Sequence, residues 1–247
     1  MKKDLIRFFI FFVLATPKLY SQNSDQQFKV AIDGGFSFPV GKFGSSDYDP
    51  GTLPSAAKPG PAADFTFGYR FKNSHFGLKI IAGWQQNNVN NTAVARSMFD
   101  FYPNGSQIGA KSDNWHIWKW LAGPTIETPL SANGKMSLEF DAVAGVLKTK
   151  IPGYRYVVFY PDHNTVEVGS RAPISLPVSF CYQVSASFNY RITRSLFIRG
   201  DLSFMHSSPV HAYIFYLDPP NYNMPVNIRE TYPINSINFL LGIGYIL

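Results

Sequence analysis

A single cysteine, Cys181, stands among 247 residues, so no internal disulfide braces this chain. Beyond the N-terminal segment, no uninterrupted apolar stretch approaches the ~20 residues that a membrane-crossing helix needs. Charged residues make up only 15% of the chain, and none of them gather into a Lys/Arg cluster of the nucleic-acid-binding kind. His75, His116, His163, His206 and His211 show no paired ligand spacing, so no metal site is expected. A glycine-rich phosphate loop is missing too; Gly34-Gly35 and Gly242/Gly244 lie inside strand-like segments, where close packing accounts for them. These absences exclude a helical membrane protein, a disulfide scaffold and a nucleic-acid partner, and they point to no cofactor.

What is present begins with an address. Lys2, Lys3 and Arg7 precede the apolar run 8–14, Pro17 breaks the segment, and Ser21 offers a small residue before Gln22. Residues 1–21 read as a cleaved secretory signal peptide and residues 22–247 as the mature domain. Cleavage removes four bases (Lys2, Lys3, Arg7, Lys18) of 22 and one acid (Asp4) of 16, leaving 18 and 15 and a net charge of +3. The chain is nonetheless 45% hydrophobic and 16% aromatic, which is greasy for an exported protein.

The hydrophobic pattern has a period of two. Eight segments alternate: 27–40, 62–71, 76–86, 114–127, 135–148, 178–191, 196–208 and 237–247. In the second, Phe65, Phe67, Tyr69 and Phe71 alternate with Asp64, Thr66, Gly68 and Arg70. In the last, Ile237, Phe239, Leu241, Ile243, Tyr245 and Leu247 share a face, while Leu240 and Ile246 break the polarity of the other. Three connections are short and polar: 72–75, 130–134 and 192–195. The four between them are long, at about 41–60, 87–113, 151–177 and 209–233. Short turns strictly alternating with long loops is the arrangement of a transmembrane barrel. The fold class expected is all-β: an eight-stranded antiparallel up-and-down transmembrane β-barrel with short periplasmic turns and long extracellular loops.

The mature chain resembles the small eight-stranded bacterial outer-membrane β-barrel family, the porin-like and PorT-like barrels, over its whole length. The most specific element is Leu240-x-Gly242-x-x-Tyr245-x-Leu247, which looks like the family's C-terminal signal for the barrel-assembly machinery, with Leu where the family usually ends in Phe or Trp. The resemblance implies residence in the bacterial outer membrane, with outer-membrane lipid around the barrel.

An eight-stranded lumen is just wide enough to be filled by side chains. The inward set holds Asp33, Asp64, Glu127, Glu139, Asp141 and Asp201 with Lys29, Arg70, Lys79, Lys119, Arg191 and Arg199. Unpaired charges there would each cost several kcal/mol, about enough to impose mutual pairing, so a static plug and no conducting pore are expected. On the outward side of the seventh strand, His206 and Ser208 resemble the His-x-Ser element of outer-membrane lipid A 3-O-deacylases. That chemistry needs a nucleophile, a base and an orienting carboxylate. The eighth strand has no Asp or Glu, Glu230 lies in the preceding loop, and Pro209-Val210 replaces the Asn-rich continuation.

The long loops carry related aromatic tips around Phe101-Tyr102, Phe159-Tyr160 and Phe215-Tyr216, each near Pro with Asn, Asp or Gly, which favour tight turns. In the third loop, 154–160 and 165–168 flank Pro161-Asp162-His163-Asn164 and read as a hairpin. Exposed aromatic area of this kind fits a contact surface for another outer-membrane protein or a glycan. The function expected is that of a non-enzymatic interaction or scaffold component acting through its loops. A hydrolase using His206 and Ser208 is the alternative.

Overall fold

The computed structural model describes residues 27–46, 55–98, 107–132, 134–160, 165–173, 176–217 and 226–247. The signal-peptide segment and the tip residues Phe101 and Tyr102 lie outside them. Among the described residues the elements run β1 (Gln27–Pro39), a 3-10 turn (Gly41–Phe43), β2 (Gly60–Arg70), β3 (Phe76–Asn87), α1 (Asn91–Met98), β4 (Gln107–Ser112), β5 (Trp115–Pro129) and β6 (Met136–Lys150). They continue as β7 (Tyr154–Tyr160), β8 (Thr165–Pro173), β9 (Val178–Arg191), β10 (Leu196–Ser207), β11 (Val210–Leu217), β12 (Val226–Tyr232) and β13 (Asn235–Ile246).

Eight of the strands close a barrel in the order β1-β13-β10-β9-β6-β5-β3-β2, every pair antiparallel. These are the eight period-two segments, each end within two residues of its expected position. The closing seam runs from Lys29 opposite Ile246 to Pro39 opposite Ser236, and the Leu247 amide donates to the Phe28 carbonyl at 2.9 Å. Full closure leaves none of these barrel strands with an unpaired edge, which is what a strand structure needs in hydrocarbon.

The period-two pattern decides which side chains face which solvent. Leu241 is 76% exposed on the outside while Lys79 is 2% exposed on the inside, an inversion that only an apolar surrounding makes favourable. Ile32, Phe36, Phe76, Ile80, Phe140 and Phe239 join Leu241 in a continuous outer apolar wall. Glycine admits the largest inward groups: a Cβ at Gly242 would lie 2.0 Å from the Asp33 Oδ1, and one at Gly244 would lie 2.1 Å from the Phe197 ring.

The structure adds two features to the expected barrel. First, the lumen is not charged throughout. Ile81, Ile117, Leu121, Val143, Leu147, Cys181 and Met205 point inward from β3, β5, β6, β9 and β10 and are buried, so the loop-side half of the interior carries an apolar plug beside the polar Asp64, Gln85, Lys119, Gln183, Ser203 and Asn238. Second, the long connections are more than loops. The expected hairpin at 154–168 forms as β7 and β8, with Tyr160 opposite Thr165, and it belongs to a second, five-stranded sheet ordered β12-β11-β8-β7-β4. Four barrel strands are continued into that sheet across breaks of two or three residues: Asp113-Asn114, Ile151-Pro152-Gly153, Ser208-Pro209 and Pro233-Ile234. Three of the four breaks contain proline, which has no N–H to give to a ladder and so ends one sheet before the next begins.

Beneath this second sheet, aromatic residues seal the barrel mouth. The Trp115 ring meets Phe43 at 5.3 Å and 81° and Tyr232 at 5.3 Å and 75°, both edge-on. Its indole N–H donates to the Ser55 carbonyl at 3.1 Å. Tyr154 and Tyr156 lie fully buried beside them, merging the outer sheet with the apolar plug in one core.

Candidate functional site

The barrel interior is organised around five cations. Lys79 is held between Glu139 and Asp141. Arg199 reaches Asp201 at 3.1 Å, Glu139 and Asp141 at 3.7 Å and Asp33 at 3.9 Å. Lys29 meets Glu127 at 2.5 Å and Glu139 at 3.6 Å, and Arg70 adds a contact to Glu127 at 3.5 Å. Higher up, Lys119 forms a separate cluster with Asp64 at 2.9 Å and the Gln183 carbonyl oxygen at 2.7 Å.

Hydroxyls complete the network: Ser137 donates to Glu127 at 2.7 Å, Ser185 to Asp141 at 2.8 Å and Ser187 to Asp201 at 2.6 Å. The mutual pairing expected of the inward charges is therefore present among the described residues, with one exception. Arg191, counted among the six bases, donates instead to the neutral Gln27 side chain at 3.2 Å.

Chemically, such a network fills the short-turn half of the lumen with paired charges. The cavity left among Lys29, Arg70, Lys79, Glu127 and Arg199 measures about 20 Å³, room for roughly one water. A wider vestibule of about 370 Å³, lined by Arg70, His75, Glu127, Ser137 and Arg191, opens at the end carrying the short turns. At the other end stand the apolar plug and the aromatic seal.

The pair His206 and Ser208 sits on the outer side of β10 where it leaves the barrel. His206 Nδ1 lies 2.7 Å from the Asn235 Oδ1, and its ring packs on Tyr182 at 5.1 Å. An amide oxygen can orient an imidazole, but it cannot stabilise the imidazolium as a buried carboxylate does. Ser208 is past the end of the strand and exposed; its backbone N–H donates to Phe180 and its carbonyl accepts from Ser179. Glu230 lies in β12 opposite Ala212, in the second sheet rather than on the strand facing His206. Among the described residues the structure brings together a histidine and an amide, not the three groups of a triad.

The aromatic tips are placed as far as they are described. Phe159 is 42% exposed near the end of β7, whereas Tyr160 is partly buried against the core. The backbones of Phe215 and Tyr216 lie in β11, opposite Asn227 and Val226. Phe101 and Tyr102 fall outside the described residues. Tyr154 and Tyr156, from the same aromatic-rich loop, turn inward to the seal.

No protein-family model matches the chain, and no curated protein matches it. Solved structures do. A major outer membrane protein from Thermus thermophilus is similar over 90% of this chain and 100% of that one, at 9% identity and a TM-score of 0.50. The fold is that of an outer-membrane β-barrel. Neisserial surface protein A is also similar, over 88% of this chain and 96% of that one, at 12% identity and a TM-score of 0.45. The outer membrane protease OmpT from Escherichia coli matches over 93% and 99%, at 11% identity and a TM-score of 0.46. At such identities the likeness concerns the fold alone. Closed edges, an apolar outer wall and a charged interior suit this outer-membrane barrel to a bilayer. By that architecture the short turns are periplasmic and the second sheet is extracellular.

Proposed function

We propose that the chain is a non-enzymatic outer-membrane barrel whose filled lumen anchors it and whose extracellular sheet acts as an interaction or scaffold component. The observation that carries this reading is the contrast between the two storeys. The cavity among Lys29, Lys79, Glu127 and Arg199 measures about 20 Å³, while four of the barrel strands continue into a second sheet. Structure invested outside the membrane, over a lumen filled with paired side chains, favours action at the cell surface.

In this reading the C-terminal strand β13 is the element read by the barrel-assembly machinery, and outer-membrane lipid covers the wall around Leu241. The contacts are made by the outer sheet and its tips, with Phe101, Tyr102, Phe159, Tyr160, Phe215 and Tyr216 facing another outer-membrane protein or a glycan. Cross-linking in intact cells, detergent extraction and quantitative identification of what co-purifies tests it. Serine at all six positions is expected to release a specific partner while the barrel still folds. Unchanged recovery of every partner overturns the surface reading, and discrete conductance steps in a planar bilayer overturn the closed lumen.

A further inference from the structure

On the outer face of the β4–β7 and β5–β6 pairs, cations are stacked in register just above the apolar wall. Rising from the membrane, Trp120 stands opposite Val146, then Trp118 opposite Lys148, His116 opposite Lys150, and, past the break, Lys111 opposite Arg155. Trp120 and Val146 are exposed on the lipid side; Lys150, Lys111 and Arg155 are exposed above them, with Lys148 half-buried between. The His116 and Trp118 rings stack at 6.0 Å and 18°. The Asp113 N–H donates to the Gly153 carbonyl at 3.0 Å, which ties the two strand pairs into one surface across the break.

Like charges directly opposite one another on a sheet destabilise it, and Lys111 and Arg155 are so placed. Among the described residues none of the four cations has a carboxylate partner, and Asp113 is the one acid on these stems at this height. Trp118 and Trp120 mark the height of the interface, since tryptophan concentrates where hydrocarbon meets headgroups. Cations immediately above that line, on a wall whose lower half is in acyl chains, face the phosphates of the lipids that solvate the wall.

We infer that Lys111, Lys148, Lys150 and Arg155 form a binding site for the phosphate groups of an outer-leaflet glycolipid, with Trp118 and Trp120 against its acyl chains. The inference goes beyond the scaffold reading and does not need it; it rests only on the barrel spanning a membrane with this rim at the headgroups. The lipid fits because one molecule must offer phosphate and hydrocarbon at adjacent heights. Inorganic phosphate supplies only the first and a soluble acidic protein lacks the second.

The test uses the full barrel in detergent, titrated with bis-phosphorylated lipid A, with the same lipid enzymatically dephosphorylated, and with inorganic phosphate, read by native mass spectrometry. Binding of the phosphorylated lipid is expected to be at least about tenfold tighter than that of the dephosphorylated one. The combined variant Lys111→Gln, Lys148→Gln, Lys150→Gln and Arg155→Gln is expected to abolish the difference. A control with Lys72→Gln and Arg194→Gln, at the periplasmic turns, is expected to retain it. Heat-modifiable gel migration certifies that each barrel is folded, and if the Gln variant fails that check, Lys148→Gln with Lys150→Gln alone is scored. Equal affinity for the two lipids, equal loss in the control, or displacement of the lipid by millimolar inorganic phosphate overturns the proposal.

Discussion

Replacing Arg199 with methionine is the sharpest test of how the lumen is held together. Arg199 is 6% exposed and touches four carboxylates, yet its loss falls unevenly on them. Glu139 and Asp141 keep Lys79, and Glu139 keeps Lys29 as well. Among the described residues Asp201 keeps only the Ser187 hydroxyl, and Asp33 loses the one cation that reaches it. Removing one partner from a buried ion pair costs about 3–5 kcal/mol, because the remaining charge is stranded. Arg199→Met should therefore destabilise the barrel by about 3 kcal/mol or more, roughly a hundredfold in the unfolding equilibrium.

Neutralising the stranded partners, in Arg199→Met with Asp33→Asn and Asp201→Asn, should recover most of that loss, since a matched uncharged replacement of a buried network is close to neutral. Lys79→Met should cost less than Arg199→Met, because Arg199 still reaches both of its carboxylates. The assay is reversible urea unfolding in lipid vesicles, followed by the fluorescence of the four tryptophans and by heat-modifiable gel mobility. A loss below about 1 kcal/mol for Arg199→Met, the size of an exposed ion pair, would mean that water screens the lumen and would refute the closed interior.

Two further outcomes are expected. Gly242→Ala sets a Cβ 2.0 Å from the Asp33 Oδ1 and 2.4 Å from the Ile32 carbonyl, whereas a Cβ at Gly34 meets nothing within 4 Å; Gly242→Ala should sharply lower the yield of folded barrel and Gly34→Ala should not, as gel mobility after refolding will tell. His206→Ala and Ser208→Ala should leave the acyl pattern of lipid A unchanged in mass spectra of whole-cell extracts, since the group that orients His206 is the Asn235 amide; loss of a lipid A deacylation product in either variant would restore the hydrolase.

Much of the wall was legible in the chain because a barrel strand meets two solvents of opposite kind. Where hydrocarbon lies outside and ions inside, as along Phe65, Phe67 and Tyr69 against Asp64, Thr66 and Gly68, the period of two is plain. It fades where both faces are apolar. Ile81, Leu121, Val143 and Leu147 point into the lumen, yet they stand beside outward apolar residues in continuous greasy runs, where no contrast of polarity marks the two faces. Leu240 was such a break in the terminal strand, and it is 3% exposed on the inner face.

The sequence by itself determined the eight spanning strands, their faces, the alternation of short and long connections, and the opposite charges that had to meet inside. Those properties follow from local alternation and from the cost of burying an unpaired charge. Only the tertiary structure decided which carboxylate meets which cation, since Lys79 with Glu139 or Arg199 with Asp33 depends on the stagger of the closed barrel. Closure also decided the five-stranded outer sheet, whose β11–β8 register joins Ile214 to Pro173. It set Lys111 opposite Arg155 above the membrane wall. Those neighbours lie about forty residues apart in the chain. No periodicity along it specifies a pairing that exists only once the barrel beneath has fixed where each strand emerges.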